Sequence, residues 1–241
     1  MVDGARPLGY GKGMKAVAVQ LAGPVDYEDG VRLQERLVRA RIAGELGDTV
    51  LFLEHAPVLT LGARGRRDHI LASAGELAAR GIKVVGSSRG GDVTYHGPGQ
   101  LVMYPVIHLG DHEADSRGYL RNLEEVAIRT AGEYGVTAQR REGMTGAWTE
   151  AGKIAAIGIR LRRWVTHHGM SFNVDPDMGD FALIVPCGLT GENVASLRML
   201  LGARCPGLQE VTAAMGRHFS EVFGRVLEWR GPEVLVTTPG T

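Results

Sequence analysis

Cys187 sits in the run FALIVPCGL, between a proline that fixes φ and a glycine that permits an unusual bend. A thiol projecting from such a constrained backbone, after a buried strand-like run, is a candidate nucleophile. An unperturbed thiol has a pKa of about 8.5 and is only slightly ionised at neutral pH, so it needs a cation or base beside it. The alternative reading is a small core hydrophobe, the common role of a lone cysteine among apolar residues. The other cysteine, Cys205 in GARCPGL, lacks the apolar lead-in and reads as a loop thiol.

A partner for the thiol is suggested by scarcity. Of 27 basic side chains only Lys12, Lys15, Lys83 and Lys153 are lysine. Three of these stand where a solvated amine is ordinary, but Lys153 opens the apolar run KIAAIGI. Arginine stays protonated in proteins, whereas a desolvated lysine can shift into a range suited to proton transfer. The competing reading is a strand-end lysine whose ammonium snorkels to water.

A third constellation is RGGDVTYHGPGQ, residues 89–100, with more glycine and proline than a packed strand interior tolerates. Such a backbone suits close approach by a ligand or another chain, and two tight turns with a surface histidine is the alternative. Alternation puts Val93 and Tyr95 on one face and Thr94 and His96 on the other. The small residues Ala155, Ala156 and Gly158 leave room above a sheet, either for a slender apolar ligand or for a closely packed helix. With the pair His168–Gly169, the set fits thiolate nucleophilic catalysis. Other clusters read as decoys. HLGDHEAD, residues 108–115, reads as a solvated acidic loop, and adjacent His167 and His168 would point to opposite faces of a strand. The arginines of 64–69, Arg140–Arg141 and 160–163 read as solvated, forming a local basic surface.

Elements able to hold these groups follow from periodicity. Helices are predicted over about Tyr27–Leu46 with Asp26 as cap, Glu76–Arg80, 117–134 and 209–223. Strands are predicted at AVAVQL, TVLFLE, VLTLG and KVVGS, on both sides of the Gly-Pro-Gly turn, and near 136–140, 145–149, 153–161 and 163–168. Strands joined by hairpins with intervening helices imply an α+β fold, a mixed β-sheet flanked by helices. GYGKG near the start precedes a strand rather than a helix, which argues against a phosphate loop. The organisation expected is an extension over 1–14, one catalytic domain over 15–230 and a tail over 231–241.

Composition narrows the class. The chain has 241 residues, 27 basic and 27 acidic side chains and 44% hydrophobic residues, as a globular domain should. Zero net charge argues against a nucleic-acid binder, and no stretch has the length and apolarity of a membrane span. Two cysteines cannot build a disulfide framework, so a cytoplasmic location is expected.

In this order, EHAPVLTLGARG, RGGDVTYHGPGQ, KIAAIGIRLRR, HHGMSFNV and IVPCGL resemble the lipoyl(octanoyl) transferase family, over roughly residues 15–225. The resemblance implies a fold shared with biotin- and lipoate-protein ligases, with an acyl pocket over a mixed sheet. It implies that Cys187 is the acyl-thioester nucleophile and Lys153 the lysine that lowers its pKa. It also implies substrate contacts from Arg89, Gly90, Gly91, Asp92, Val93, Thr94, Tyr95 and His96. Further contacts would come from Ala156, Ile157 and Gly158, and from His168, Gly169, Met170 and Ser171. Met170, Ser171 and Phe172 depart from the commoner HG-[LF]-A-L-N pattern, at positions that bear on chain-length selection. The donor implied is octanoyl-acyl carrier protein. The implied acceptors are lipoyl domains of 2-oxoacid dehydrogenase complexes and the glycine cleavage H protein, with no cofactor or metal. Rival readings are a lipoate-protein ligase, which needs ATP and no thiol, an octanoyl amidotransferase with a lipoyl-protein donor, and a non-enzymatic carrier-binding module.

Overall fold

The chain enters on β1 (Met14–Val25), which runs into Asp26. The Asp26 carboxylate accepts the N–H of Glu28 at 2.9 Å and of Asp29 at 3.4 Å, capping α1 (Tyr27–Ala43). β2 (Asp48–His55) and β3 (Val58–Leu61) follow. Ser73 caps the short α2 (Ala74–Ala79), which leads to β4 (Lys83–Gly86), β5 (Val93–His96) and β6 (Gln100–Val106). Asp115 caps α3 (Ser116–Glu133), followed by β7 (Gln139–Arg141), β8 (Met144–Thr149), β9 (Gly152–Arg162) and β10 (Val165–Asn173). Ser196 caps α4 (Leu197–Leu201), before α5 (Leu208–Phe223) and β11 (Arg225–Arg230). This computed structural model describes residues 13–110, 115–185 and 193–235.

The main sheet has eight strands in the order β11-β1-β2-β6-β10-β9-β8-β7. β1 runs parallel to both its neighbours, and the remaining pairs are antiparallel. One face, carrying Phe52, Leu101, Met103, Met170 and Phe172, packs with Leu123 and Ala127 of α3 and Val211, Met215 and Phe219 of α5. The opposite face, carrying Val19, Leu51, Leu53, Val102 and Tyr104, packs with Leu37 and Val38 of α1. The α+β architecture with a mixed sheet and flanking helices is therefore the one the sequence implies. Among the described residues, no helix is long and apolar enough to cross a membrane.

Two expectations need correction. The strands around Gly97–Gly99 do not form a hairpin, because β5 pairs with β3 in a second, three-stranded sheet, β4-β3-β5. Gly99 is instead a corner: its N–H donates to Glu54 Oε1 at 2.6 Å, and its carbonyl accepts from Val174 and Asp175. The run before Cys187 is likewise no strand. Residues Met178–Leu183 form a 3₁₀ helix, started by Asp177 accepting the Gly179 N–H at 2.8 Å. Phe181 and Leu183 pack with Leu59, Val93 and Tyr95 in a small core under the second sheet. A short apolar run buries equally well in either conformation, and the Asx cap decides between them.

The start of β2 is pinned by charge. Asp48 is buried, with one carboxylate oxygen accepting Arg41 Nε at 2.7 Å and the His108 N–H at 3.0 Å. Its other oxygen accepts Nε of buried Arg225 at 2.8 Å. One side chain thus joins α1, β2, the end of β6 and β11. Removing it takes the Asp48 carboxylate away from a buried guanidinium, so Asp48→Ala should cost about 3–5 kcal/mol in urea denaturation. A loss below about 1 kcal/mol would show that the cluster does not hold these elements together.

Candidate active site

A cavity of about 560 Å³ opens on the α1 side of the main sheet, above β9, β10 and β6. Its floor follows from register: Ala156 pairs with Ser171, Ser171 with Val102, and Gly158 with Gly169. Bare and small positions thus lie side by side across neighbouring strands. The loop 89–92 forms another wall, and Gly90 N–H donates to the Ile159 carbonyl at 3.0 Å. A Cβ on Gly158 would lie 2.7 Å from the Gly90 carbonyl oxygen, so only glycine admits this approach. Arg89 braces the loop by donating to the Thr60 carbonyl and hydroxyl, both at 2.7 Å. Asp92 does the same for the 64–69 segment, accepting from His69 Nδ1 and, at 2.9 Å, from the Arg66 N–H.

Strand alternation sorts the remaining residues. Thr94 and His96 line the cavity, as expected, while Val93 and Tyr95 face the small core and Tyr95 meets Phe181 edge-on. These two therefore support the wall without lining it. Ile157 and Met170 border the cavity, but their side chains belong to the α3–α5 core.

Lys153 reaches the cavity through a β-bulge. Ala147 pairs with Ala155 and Trp148 with Lys153, so Ile154 is an extra residue. Without it, Lys153 and Ala155 would share the core face. With it, Lys153 joins the face of Ala156 and Gly158. The lysine is 7% exposed, and its Nζ lies 4.6 Å from the centre of the Trp148 ring. Snorkelling to water is thereby excluded. Gly146 has φ 133°, and a Cβ there would lie 2.5 Å from the Ala155 carbonyl oxygen, so glycine lets β8 approach β9 beside the bulge. The backbone of Lys153 donates to Asn193 and accepts from Ala195, both at 2.9 Å. Cys187 lies in 186–192, outside the described residues.

The other end of the cavity, at His96 and His168, is backed by a polar network. His55 Nδ1 donates to the Val25 carbonyl at 2.9 Å, leaving Nε2 to accept from the Tyr104 hydroxyl at 2.8 Å. His96 Nδ1 donates to Gln100 Oε1 at 2.6 Å, and Gln100 Nε2 donates to Asn173 Oδ1 at 2.9 Å. Asn173 Nδ2 then donates to the Ala195 carbonyl at 3.0 Å, linking this end to the segment bonded to Lys153. Burial pushes His55 and His167 down to about 4, His96 to about 3 and His168 to about 2. At neutral pH all four are neutral, so His96 and His168, the two that line the cavity, offer it uncharged hydrogen-bonding edges.

His167 and His168 correct the alternation rule. They share a side, with ring centroids 4.1 Å apart, because His168 adopts φ 60°. Its N–H donates to Gln34 Oε1 at 2.9 Å, and its Nε2 lies 3.1 Å from Ser88 Oγ. Among the described residues no three His, Cys, Asp or Glu side chains gather as metal ligands. His108 is structural, its Nδ1 accepting the Gly110 N–H at 3.0 Å, and 111–114 lie outside the described residues. Arg140 and Arg141 are held in place. The first pairs with Glu124 at 3.2 Å and Glu125 at 2.7 Å, and the second lies 4.5 Å from the Trp148 ring centre.

Several lining residues escaped the sequence reading: Arg64, His69, Val102, Tyr104, Leu120, Met144 and Thr145. Leu120 was legible only as part of the apolar stripe of α3. Tyr104 and Val102 alternate on β6, a signal indistinguishable from core without the fold. The buried histidines set a pH dependence. Their folded pKa values lie below the unfolded value near 6.5, so the unfolded chain binds more protons below that pH. Their contribution is complete above about pH 6.5 and is lost as pH falls towards about 4, by about 1.4 kcal/mol per pH unit for each histidine kept neutral. Urea midpoints should drop clearly between pH 7 and pH 5.5, and an unchanged midpoint would contradict neutral burial.

The chain is 49% identical over 201 residues to an octanoyltransferase of Chloroflexus aggregans, covering 82% of this chain and 90% of that protein. It is 47% identical over 213 residues to the octanoyltransferase of Chloroflexus aurantiacus, covering 87% and 95%. Among solved structures, a lipoate-protein ligase A bound with ATP superposes with a TM-score of 0.69 at 18% identity, covering 92% of each chain. A bipartite lipoate protein ligase from Thermoplasma acidophilum gives 0.68 at 18% identity, covering 92% and 90%. These structures share the fold. Residues 26–220 match the model of the lipoyl protein ligase A/B catalytic domain, and the chain belongs to that family.

Proposed function

We propose that the protein is an acyltransferase that moves an octanoyl group from acyl carrier protein to a lysine of a lipoyl domain, through a thioester on Cys187. The observation that carries the reading is Lys153, an amine buried at the edge of a cavity with a floor of small residues. The described chain flanking the Cys187 segment supports it at both ends. Val185 N–H donates to the carbonyl of His69, which lines the cavity, and Asn193 accepts from Lys153 N–H. Relatives named octanoyltransferase at 47–49% identity supply the acyl group and the reaction class.

The steps balance without an energy source. Lys153 takes the thiol proton of Cys187, giving an ammonium and a thiolate that stabilise each other when partly desolvated. The thiolate attacks the donor carbonyl, forming octanoyl-Cys187. The departing carrier thiolate receives the proton from Lys153. The neutral amine of the acceptor lysine then attacks octanoyl-Cys187. An amide forms, the Cys187 sulfur leaves, and the amine's proton passes to the Lys153–Cys187 pair. Thioester exchange is nearly balanced and thioester-to-amide transfer runs downhill. The apolar floor of Ala156 and Gly158 suits an alkyl chain.

The test is transfer from octanoyl-acyl carrier protein to a lipoyl domain without ATP. Wild type should turn over, and Cys187→Ala should be inactive. Lys153→Arg should lose at least about 100-fold, since the charge remains but arginine does not exchange its proton. Full activity of Lys153→Arg would remove the acid–base role, and a strict ATP requirement would move the protein to the ligases.

A further inference from the structure

We infer that Tyr104 sets the length of the acyl chain the site accepts, an inference that rests on the octanoyl-transfer reading above. The strand order places β6 two positions from β9, with β10 between them. Two strand spacings of about 4.8 Å make the floor about 10 Å across, and Lys153 enters it nearer the start of β9 than Gly158, so the path from the amine to Tyr104 crosses the floor obliquely. Between the Lys153 end and β6 the floor carries only Ala156, Gly158, Gly169 and Ser171. The large side chain that ends this row is Tyr104, with Val102 beside it.

Tyr104 is built as a wall. The residue is 4% exposed, and its hydroxyl is fixed by His55, itself tied to the Val25 carbonyl. His168 stands edge-on to it, with ring centroids 6.3 Å apart and planes at 79°. Behind it Leu51 and Leu53 of β2 and Leu37 of α1 fill the same face. The ring is therefore packed on the sides away from the cavity, so a chain that outgrows the floor runs against it. Because the hydroxyl points to His55, ring size rather than the hydrogen bond should govern length.

The experiment is a chain-length profile with acyl-pantetheine thioesters of six to fourteen carbons, measured as transfer to a lipoyl domain. Wild type should prefer eight carbons, and Tyr104→Phe should keep that preference. Tyr104→Ala should raise the twelve-to-eight ratio of kcat/KM at least about tenfold, because added methylenes gain a place to bind. Val102→Phe should shift preference towards six carbons. A folded Tyr104→Ala protein with the wild-type profile overturns the inference. If that variant does not fold, an unchanged profile in Val102→Phe overturns it instead. Absence of transfer by wild type from any thioester is a different result, one that removes the octanoyl-transfer reading itself.

Discussion

The site depends on one residue too many in β9. The pairings Ala147–Ala155 and Trp148–Lys153 leave Ile154 unmatched, and this bulge turns Lys153 from the helical core to the cavity. A regular strand would have buried the amine against α3, where it would carry a large desolvation cost. Around the bulge, neighbouring features meet the same demand. Trp148 gives the lysine an aromatic face, Gly146 lets β8 approach the Ala155 carbonyl, and Asn193 and Ala195 hold its backbone. The chemistry of the cavity follows from where this amine is delivered.

The histidines at and behind the far end of the cavity offer polarity without charge. His55, His96 and His168 are neutral because they are buried, and the first two are oriented by carbonyl acceptors at Val25 and Gln100. The braces that shape the walls, Arg89 on Thr60 and Asp92 on the 64–69 segment, use their polar groups on protein partners. An alkyl chain is thus met by small floor residues and neutral rings. The chain Gln100–Asn173–Ala195 connects the histidine end to the backbone of Lys153, so both ends are parts of one hydrogen-bonded frame.

Much of this is legible in the sequence where local rules dominate. The split of Thr94 and His96 from Val93 and Tyr95 follows from strand periodicity, and it holds. Lys153 stands out because so few basic residues are lysine, and its burial agrees with its apolar context. Asp26 caps its helix as its type predicts. Long-range pairing decides the remainder. The bulge at Ile154 exists only relative to β8, and the left-handed backbone of His168 belongs to no residue preference. Residues 93–96 and 100–106 look like a hairpin until β3 claims one strand and β2 the other. Tyr104 reads as core because its neighbours on β6 are core, and only the tertiary fold shows what stands in front of it.

The central claim is that the acyl group passes through the thiol of Cys187. Its most direct test is a single-turnover reaction with octanoyl-acyl carrier protein, without ATP or acceptor, quenched in acid and digested for peptide mass mapping. One octanoyl group is expected on the peptide carrying Cys187, removed by neutral hydroxylamine as a thioester should be. An unlabelled protein, or a hydroxylamine-resistant label on any other residue, would contradict it.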